Sequence, residues 1–161
     1  MALTIRPATG GDAAAVAALV DAMGGHDGAT GNPAVGAVYH AALSTPGVRM
    51  LVAEEDGAVV GYAEVQARPY MLDGVRQGWL AALCVASERR GGGVGAALVA
   101  AVDEAAAALG CSEIAVDSSS FRTAAHRFYR REGFEQRRPA MRFRRAVRNP
   151  GVSIAGAPVP P

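Results

Sequence analysis

The spacing of hydrophobic positions along the chain predicts alternating strands and helices. Apolar residues alternate with polar ones over residues 3–7, up to a proline, which is typical of a short first strand. Behind a helix-capping sequence at residues 9–12, apolar residues recur at helical spacing. A second helix is predicted from Pro33 to about Leu43.

A β-hairpin follows these helices. The segments 49–55 and 58–67 alternate in hydrophobicity and flank Asp56-Gly57, a dipeptide that favours a tight hairpin turn. Residues 69–74 are predicted to form a loop. Residues 78–86 are almost continuously apolar, which indicates a strand that is buried on both faces.

The rest of the chain repeats the strand and helix order and then loses its periodicity. The expected elements are a helix from Val94 to Leu109, a strand over 112–117, a helix that starts in 118–123 and ends near Gly133, and a last strand or hairpin within 134–145. Residues 1–145 therefore form one predicted domain. Residues 146–161 are rich in Gly and Pro, and we expect a disordered tail there.

Composition narrows the class of protein. The 161 residues are 50% hydrophobic and carry a formal charge of +1, which gives no general attraction to nucleic acid or membranes. No apolar run is long enough to span a bilayer, and the first residues lack a secretory pattern, so the cytoplasm is expected. Cys84 and Cys111 lack metal-ligand spacing and are predicted to be reduced core thiols; no metal is expected.

The most informative segment is a glycine cluster between the buried strand and the next helix. It reads Arg90-Gly91-Gly92-Gly93-Val94-Gly95-Ala96. Glycines at a helix start expose backbone N–H groups where the helix dipole is positive, and such a loop binds pyrophosphate. A nucleoside-triphosphatase loop needs a lysine, and the chain has none. A dinucleotide loop, with Asp117 on the ribose, is the weaker alternative because Ser87–Arg90 separate strand and glycines.

Two motifs together resemble the GNAT superfamily of N-acetyltransferases. The superfamily's pyrophosphate motif, Gln/Arg-x-x-Gly-x-Gly/Ala, is matched by Arg90–Gly95. Its pattern Ala-x-x-Phe-Tyr-x-x-x-Gly-Phe is matched by Ala125–Phe134. The predicted order of elements over about residues 3–145 also agrees.

The resemblance implies an α/β fold whose mixed central sheet has six to seven strands, splays between the fourth and fifth, and is flanked by about four helices. Acetyl-CoA would enter that gap as cosubstrate, with its pyrophosphate on the glycine loop. Its pantetheine arm would bind the backbone of Leu83, Cys84 and Val85. Tyr129 stands where the superfamily places the general acid that protonates the departing thiolate.

The chain departs from the superfamily where a general base is often found, because Ala81 and Ala82 replace the usual strand glutamate. Glu64, Asp117 or a chain of water molecules are the expected substitutes. Arg122 is expected to bind a CoA phosphate or to cap the following helix. His126 is expected to be either a CoA contact or a surface histidine.

The acceptor is less well defined by sequence. The resemblance places it over the first helices and the loop before the buried strand, where the candidate contacts are Asp27, Tyr39, Tyr70, Asp73 and Trp79. Acids beside aromatic residues suit a cationic amine, and the second motif resembles compact antibiotic-modifying members. A small amine such as an aminoglycoside or a kasugamycin-type sugar is therefore expected, on a monomer or homodimer. Protein or peptide acetylation and a non-catalytic acyl-CoA-binding module are the alternatives.

Overall fold

The computed structural model describes residues 2–24, 28–137, 139, 141 and 143–145. The helices and strands in this part of the chain are β1 (Leu3–Pro7), α1 (Ala13–Ala22), α2 (Pro33–Leu43), β2 (Val48–Glu55), β3 (Ala58–Tyr70), β4 (Val75–Val85), α3 (Val94–Ala108), β5 (Glu113–Val116) and α4 (Thr123–Arg131). The tail at residues 146–161 lies outside the described residues, so its disorder stays a prediction.

The sheet is mixed and has the strand order β1-β2-β3-β4-β5. The first four strands pair antiparallel, and β5 pairs parallel to β4. The parallel step is possible because α3 connects β4 to β5 as a crossover helix. The predicted α/β class and the four helices are confirmed for the described part of the chain.

The predicted number of six to seven strands is wrong for this structure, in which the described residues form five. The difference lies in the segment 134–145, where the described positions form no strand. Met141 and Phe143 are 82% and 86% exposed, so these two apolar side chains do not hold the segment against the sheet. Its alternating pattern is interrupted by Pro139, which cannot donate a ladder hydrogen bond.

One edge of β4 is open where β5 ends. The pairing of the two strands runs from Gln77–Glu113 to Leu80–Val116 and stops there, while β4 continues to Val85. The other edge of β4 stays paired with β3, but that register shifts at Ala81, which is an extra residue between Leu80 and Ala82. Such a bulge bends a strand locally. The expected gap between the fourth and fifth strands therefore lies beside residues 81–85.

Helices cover both faces of the sheet, and the alternation of side chains decides which residues face each layer. On one face, α3 packs on a core that contains Ala53, Ala63, Val65, Leu80, Val94, Leu98, Val102 and Ala106. On the opposite face, α1 and α2 pack on a core that contains Val16, Leu19, Tyr39, Met50, Val52, Tyr62 and Cys84. The neighbouring pair Tyr62 and Ala63 shows the alternation directly.

Local sequence signals located most element boundaries. The second helix begins and ends at the predicted Pro33 and Leu43, and its N-cap Asn32 accepts a hydrogen bond from the Ala34 amide. The hairpin turn at Asp56-Gly57 is confirmed by positive φ angles of 48° and 80°. In contrast, β3 extends two residues into the predicted loop, to Tyr70. A short 3-10 turn at Met71–Asp73 and Gly74, with a φ of 66°, complete the connection to β4.

Candidate active site

The glycine loop joins the open end of β4 to the first turn of α3. Gly91 and Gly93 have φ angles of 80° and 84°, a conformation that favours glycine. The loop ends at Val94, which is the first residue of the 15-residue helix α3. The first N–H groups of a helix have no partner within it and lie at the positive end of its dipole. The loop therefore forms an anion site made of backbone.

Gly95 has a different role from the glycines before it. A Cβ atom at Gly95 would lie 3.1 Å from Cε2 and 3.2 Å from Cζ of Phe128. Phe128 belongs to α4 and is the phenylalanine of the second sequence motif. The two motifs are therefore in direct contact, and the absence of a side chain at Gly95 lets α4 approach α3. Sequence reasoning missed this contact because it joins residues that are far apart in the chain.

Two consecutive arginines hold and extend the loop. Arg89 forms an ion pair with Glu55 at the end of β2, and the side chains are 30% and 10% exposed. The Arg89 carbonyl also accepts a hydrogen bond of 3.3 Å from the Gly92 amide. Arg90 is exposed, and its Nε donates a 3.2 Å hydrogen bond to the Val85 carbonyl at the end of β4. Arg89 thus anchors the loop, while Arg90 places a positive charge at its mouth.

Leu83, Cys84 and Val85 lie on the open stretch of β4, as required for backbone contacts with an extended ligand. The Cys84 side chain is 3% exposed and donates a 3.6 Å hydrogen bond to the Met23 sulfur. Burial raises the pKa of this thiol to about 11. The thiol therefore stays protonated and packs in the core. The part of this strand that a ligand can contact is its backbone.

Tyr129 projects from α4 towards the same region. Its ring lies edge-to-face with Phe128 and Phe134, with both centroid distances at 5.4 Å. Burial raises the pKa of the phenol, as does the nearby Cys84 thiol, while Arg122 opposes the shift. No described residue forms a hydrogen bond with the Tyr129 hydroxyl. The phenol is therefore a protonated donor without a partner in the described structure.

Glu64 lies on β3 directly opposite Ala82 of β4, beside the bulge at Ala81. It therefore places a carboxylate across from the two alanines that stand where the superfamily often has a glutamate. The Tyr62 hydroxyl donates to one carboxylate oxygen at 2.8 Å, and the Gln66 amide nitrogen donates to the other at 2.5 Å. Glu64 is half-buried and faces the α1 and α2 side of the sheet, as Tyr62 does.

Asp117 follows β5 immediately, one residue after the pair formed by Val116 and Leu80. It therefore reaches the level of the bulge from the other side of β4. Glu64 and Asp117 flank the same stretch of β4, although the chain separates them widely. Asp117 thus lies where the pairing of β4 with β5 ends, and Glu64 lies on the β3 side of the same stretch.

The predicted substrate residues do not form one cluster. Tyr39 is 7% exposed and donates a 2.8 Å hydrogen bond to the Thr9 carbonyl, which assigns it to the core, against the prediction of a substrate contact. Tyr70 and Asp73 line an open cleft at the turn between β3 and β4. Trp79 stacks against the Arg68 guanidinium at 5.2 Å, and Asp27 lies outside the described residues.

The contacts of Arg122 and His126 favour structural roles. Arg122 donates to the carbonyls of Met23, at 3.1 Å, and Gly24, just after α1. A guanidinium at a helix C-terminus satisfies free carbonyls and complements the dipole. The His126 Nε2 lies 3.0 Å from the Ser119 carbonyl in the turn before α4. The described geometry thus uses Arg122 to tie α4 to α1, and their predicted CoA contacts stay predictions.

No helix within the described ranges is long and apolar enough to cross a membrane. The same residues contain no cluster of three or more His, Cys, Asp or Glu side chains that could hold a metal ion.

The comparisons with known proteins agree with this geometry. The sequence profile of the acetyltransferase (GNAT) family matches residues 18–134, which include the glycine loop and Tyr129. The chain therefore belongs to the acetyltransferase (GNAT) family, as the two motifs predicted. It is an N-acetyltransferase.

Individual relatives add detail about sequence and fold. The chain is 37% identical over 101 residues to the aminoglycoside N(6′)-acetyltransferase type 1 of Stenotrophomonas maltophilia; the match covers 61% of this chain and 66% of the relative, just under two thirds of its length. The structure of AAC(6′)-Iy with a CoA-linked acetylneamine bisubstrate analogue superposes with a TM-score of 0.80 at 22% identity, covering 91% of this chain and 100% of that one.

A relative with a different acceptor has the same fold. Glucosamine-6-phosphate N-acetyltransferase from Arabidopsis thaliana superposes with a TM-score of 0.75 at 17% identity, covering 89% of this chain and 99% of that one. Likeness at these identities describes the fold alone. The fold alone therefore does not identify the acceptor of this chain.

Proposed function

We propose that this enzyme transfers the acetyl group of acetyl-CoA to a primary amine of a small amino sugar of the aminoglycoside class. The observation that carries the proposal is the open edge of β4 at residues 81–85. The glycine loop lies at one end of this edge, the Tyr129 phenol lies nearby, and the Glu64 carboxylate lies across β4 at the bulge. A thioester carbonyl at the bulge would thus have a proton donor and an acceptor-binding carboxylate within one short region.

The cosubstrate would be held mainly by backbone. The glycine loop and the first turn of α3 suit the pyrophosphate, with Arg90 adding a charge-assisted donor. The pantetheine arm carries amide groups, and these fit the backbone of Leu83–Val85 on the edge of β4 that does not pair with β5. Acetyl-CoA supplies the thioester that is broken in the reaction.

Each side chain then has a defined task. The acceptor amine must be uncharged at nitrogen when it attacks the thioester carbonyl carbon, so its proton must leave to Glu64, directly or through water. Backbone N–H groups at the bulge stabilise the developing oxyanion. When the carbon–sulfur bond breaks, the Tyr129 phenol donates its proton to the thiolate, and the proton that the nitrogen loses on forming the amide returns through water to the phenolate. Asp117, at the same level on the other side of β4, is a second carboxylate for the acceptor or its proton.

The acceptor class follows from charge and from the relatives. Glu64 and Asp117 give the acceptor side carboxylates, which suit a compound with several ammonium groups. The relative from Stenotrophomonas maltophilia is an aminoglycoside N(6′)-acetyltransferase. The AAC(6′)-Iy structure contains a CoA-linked acetylneamine. An amino sugar with more than one amine is therefore the acceptor that best combines both observations.

A thiol-release assay with acetyl-CoA and a panel of amines tests this function. Neomycin and paromomycin form a matched pair, because neomycin has an amine at the 6′ position and paromomycin has a hydroxyl there. We expect turnover with neomycin and far less with paromomycin, with the acetylated product identified by mass spectrometry. Kasugamycin, polyamines, amino acids and peptides complete the panel. Turnover confined to peptides, or equal for all amines, would contradict the aminoglycoside proposal.

A further inference from the structure

The strongest feature that the reaction scheme leaves unexplained is the buried tyrosine beside the proposed acceptor carboxylate. Tyr62, Glu64 and Gln66 alternate along β3, so their side chains share one face of the sheet. Tyr62 donates to Oε2 of Glu64, and Gln66 donates to Oε1. Each carboxylate oxygen therefore receives one hydrogen bond, from opposite ends of the group.

Tyr62 is fixed in place by its packing. It is 3% exposed and belongs to the core between the sheet and the helices α1 and α2. Burial, together with the negative charge of Glu64, raises the pKa of the phenol far above its usual range. The hydroxyl therefore stays protonated and remains a hydrogen-bond donor. Gln66 must present its NH2 group, because an ionised carboxylate only accepts hydrogen bonds.

A glutamate on a strand surface normally samples several rotamers, and ordering it costs side-chain entropy. Here a rigid donor in the core has already ordered the group before any ligand arrives. The remaining lone pairs of the carboxylate stay available to an incoming ammonium group. Fixed acceptors of this kind bind a transition state better than mobile ones do, because no reorganisation is needed.

We propose that Tyr62 is a positioning residue, which holds the Glu64 carboxylate where the acceptor amine must bind. This inference rests on the proposed function, because it needs Glu64 on the acceptor side of the reaction. A residue of the core beneath α1 and α2 would then contribute to acceptor specificity. Gln66 completes the arrangement from the solvent side, where it is half-buried.

A double-mutant cycle with Tyr62→Phe and Glu64→Gln tests the proposal. Tyr62→Phe keeps the ring and removes only the hydroxyl, so we expect kcat/KM for the acceptor to fall on the order of tenfold, mainly through a higher KM. The Kd for acetyl-CoA should not change. In the Glu64→Gln background, Tyr62→Phe should cause little further loss, because the two residues act as one unit.

Tyr39→Phe is the matched control. Tyr39 is buried in the same layer, but its hydroxyl donates to the Thr9 carbonyl, away from Glu64. We expect it to lower Tm without changing kcat/KM for the acceptor. If both tyrosine variants behave alike, or if Tyr62→Phe and Glu64→Gln lose activity additively, Tyr62 is a packing residue only and the proposal is overturned.

The outcomes separate this inference from the proposed function. Full activity in Glu64→Gln removes Glu64 from the reaction scheme, whereas a loss in Glu64→Gln without a loss in Tyr62→Phe removes Tyr62 alone. A crystal structure of Tyr62→Phe gives a readout that does not depend on turnover. We expect the Glu64 carboxylate to change rotamer or to occupy two; a carboxylate that keeps its position would overturn the proposal.

Discussion

The two sides of the candidate site are held by different kinds of interaction. The cosubstrate side is built from backbone: two glycines with positive φ, the first turn of α3 and the open edge of β4. The acceptor side is built from side chains that neighbouring strands bring together, with Glu64 opposite Ala82 and held by Tyr62 and Gln66. A backbone site is insensitive to most substitutions, whereas a side-chain site can change its ligand through a few of them. The same fold can therefore keep one cosubstrate and serve many acceptors.

The largest expected effect is at the point where the two sides meet. Tyr129→Phe keeps the ring contacts with Phe128 and Phe134 and removes the proton donor. We expect kcat to fall by roughly one to three orders of magnitude, with the Kd of acetyl-CoA unchanged, because only the proton transfer to the thiolate is affected. Steady-state kinetics and calorimetric titration provide the measurement. Unchanged turnover would remove the general-acid assignment.

A second prediction separates the acceptor side from the cosubstrate side. Glu64→Gln keeps the shape of the side chain but removes its charge, so we expect kcat/KM for a cationic acceptor to fall about ten- to a hundredfold. The KM of acetyl-CoA should stay within about twofold, the scatter expected when no contact is lost. Asp73→Asn, in the turn between β3 and β4, is the comparison variant for a more distant acid. If Glu64→Gln altered acetyl-CoA binding instead, the division into two sides would be wrong.

The anchor of the glycine loop offers a smaller effect on the cosubstrate side. Glu55→Gln weakens the ion pair with Arg89, so the loop should lose part of its fixed position. We expect the Kd of acetyl-CoA to rise about three- to tenfold, as the loss of one partly exposed charge-assisted contact predicts, and the acceptor KM to stay constant. Glu88→Gln is the control, since Glu88 lies in the same turn but accepts its side-chain hydrogen bond from the Ser87 hydroxyl rather than from Arg89. Equal effects of the two variants would mean that the ion pair does not position the loop.

The smallest expected effect is on stability. Gly95→Ala adds a methyl group within 3.1 Å of the Phe128 ring, while alanine favours the helix. Overpacking should exceed the gain in helix propensity, for a net loss of about 1 kcal/mol in the free energy of unfolding. Chemical denaturation of Gly95→Ala with and without Phe128→Leu tests the contact. Additive losses in the double variant would show that the methyl group and the ring do not meet.

The cosubstrate side could be predicted from sequence because its parts are adjacent in the chain. The strand, the glycines and the helix start form one segment at 78–96, and short-range rules of backbone conformation are sufficient to predict such a segment. The catalytic role of Tyr129 was inferred from a motif of the same kind and stays a prediction. The family and the acetyltransferase activity follow from these two segments, and both are confirmed.

The acceptor side could be predicted only in part, because strand register decides it. The position of Glu64 opposite Ala82 depends on a bulge at Ala81, which no pattern in the apolar run 78–86 indicates. Tyr62 looked like any core residue of an alternating strand, and its alternation with Glu64 and Gln66 was the signal that could have found it. Tyr39 was placed with the substrate because loop and helix aromatics cannot be sorted into core and surface before the packing is known.

The central claim is that the glycine loop and the open edge of β4 bind acetyl-CoA with its sulfur beside Tyr129. A crystal structure of the full chain with CoA tests this most directly. The account predicts pyrophosphate oxygens within hydrogen-bond distance, about 3 Å, of backbone N–H groups in the loop, and the sulfur within about 4 Å of the Tyr129 hydroxyl. CoA bound elsewhere, or a sulfur on the far side of β4 from Tyr129, would contradict it.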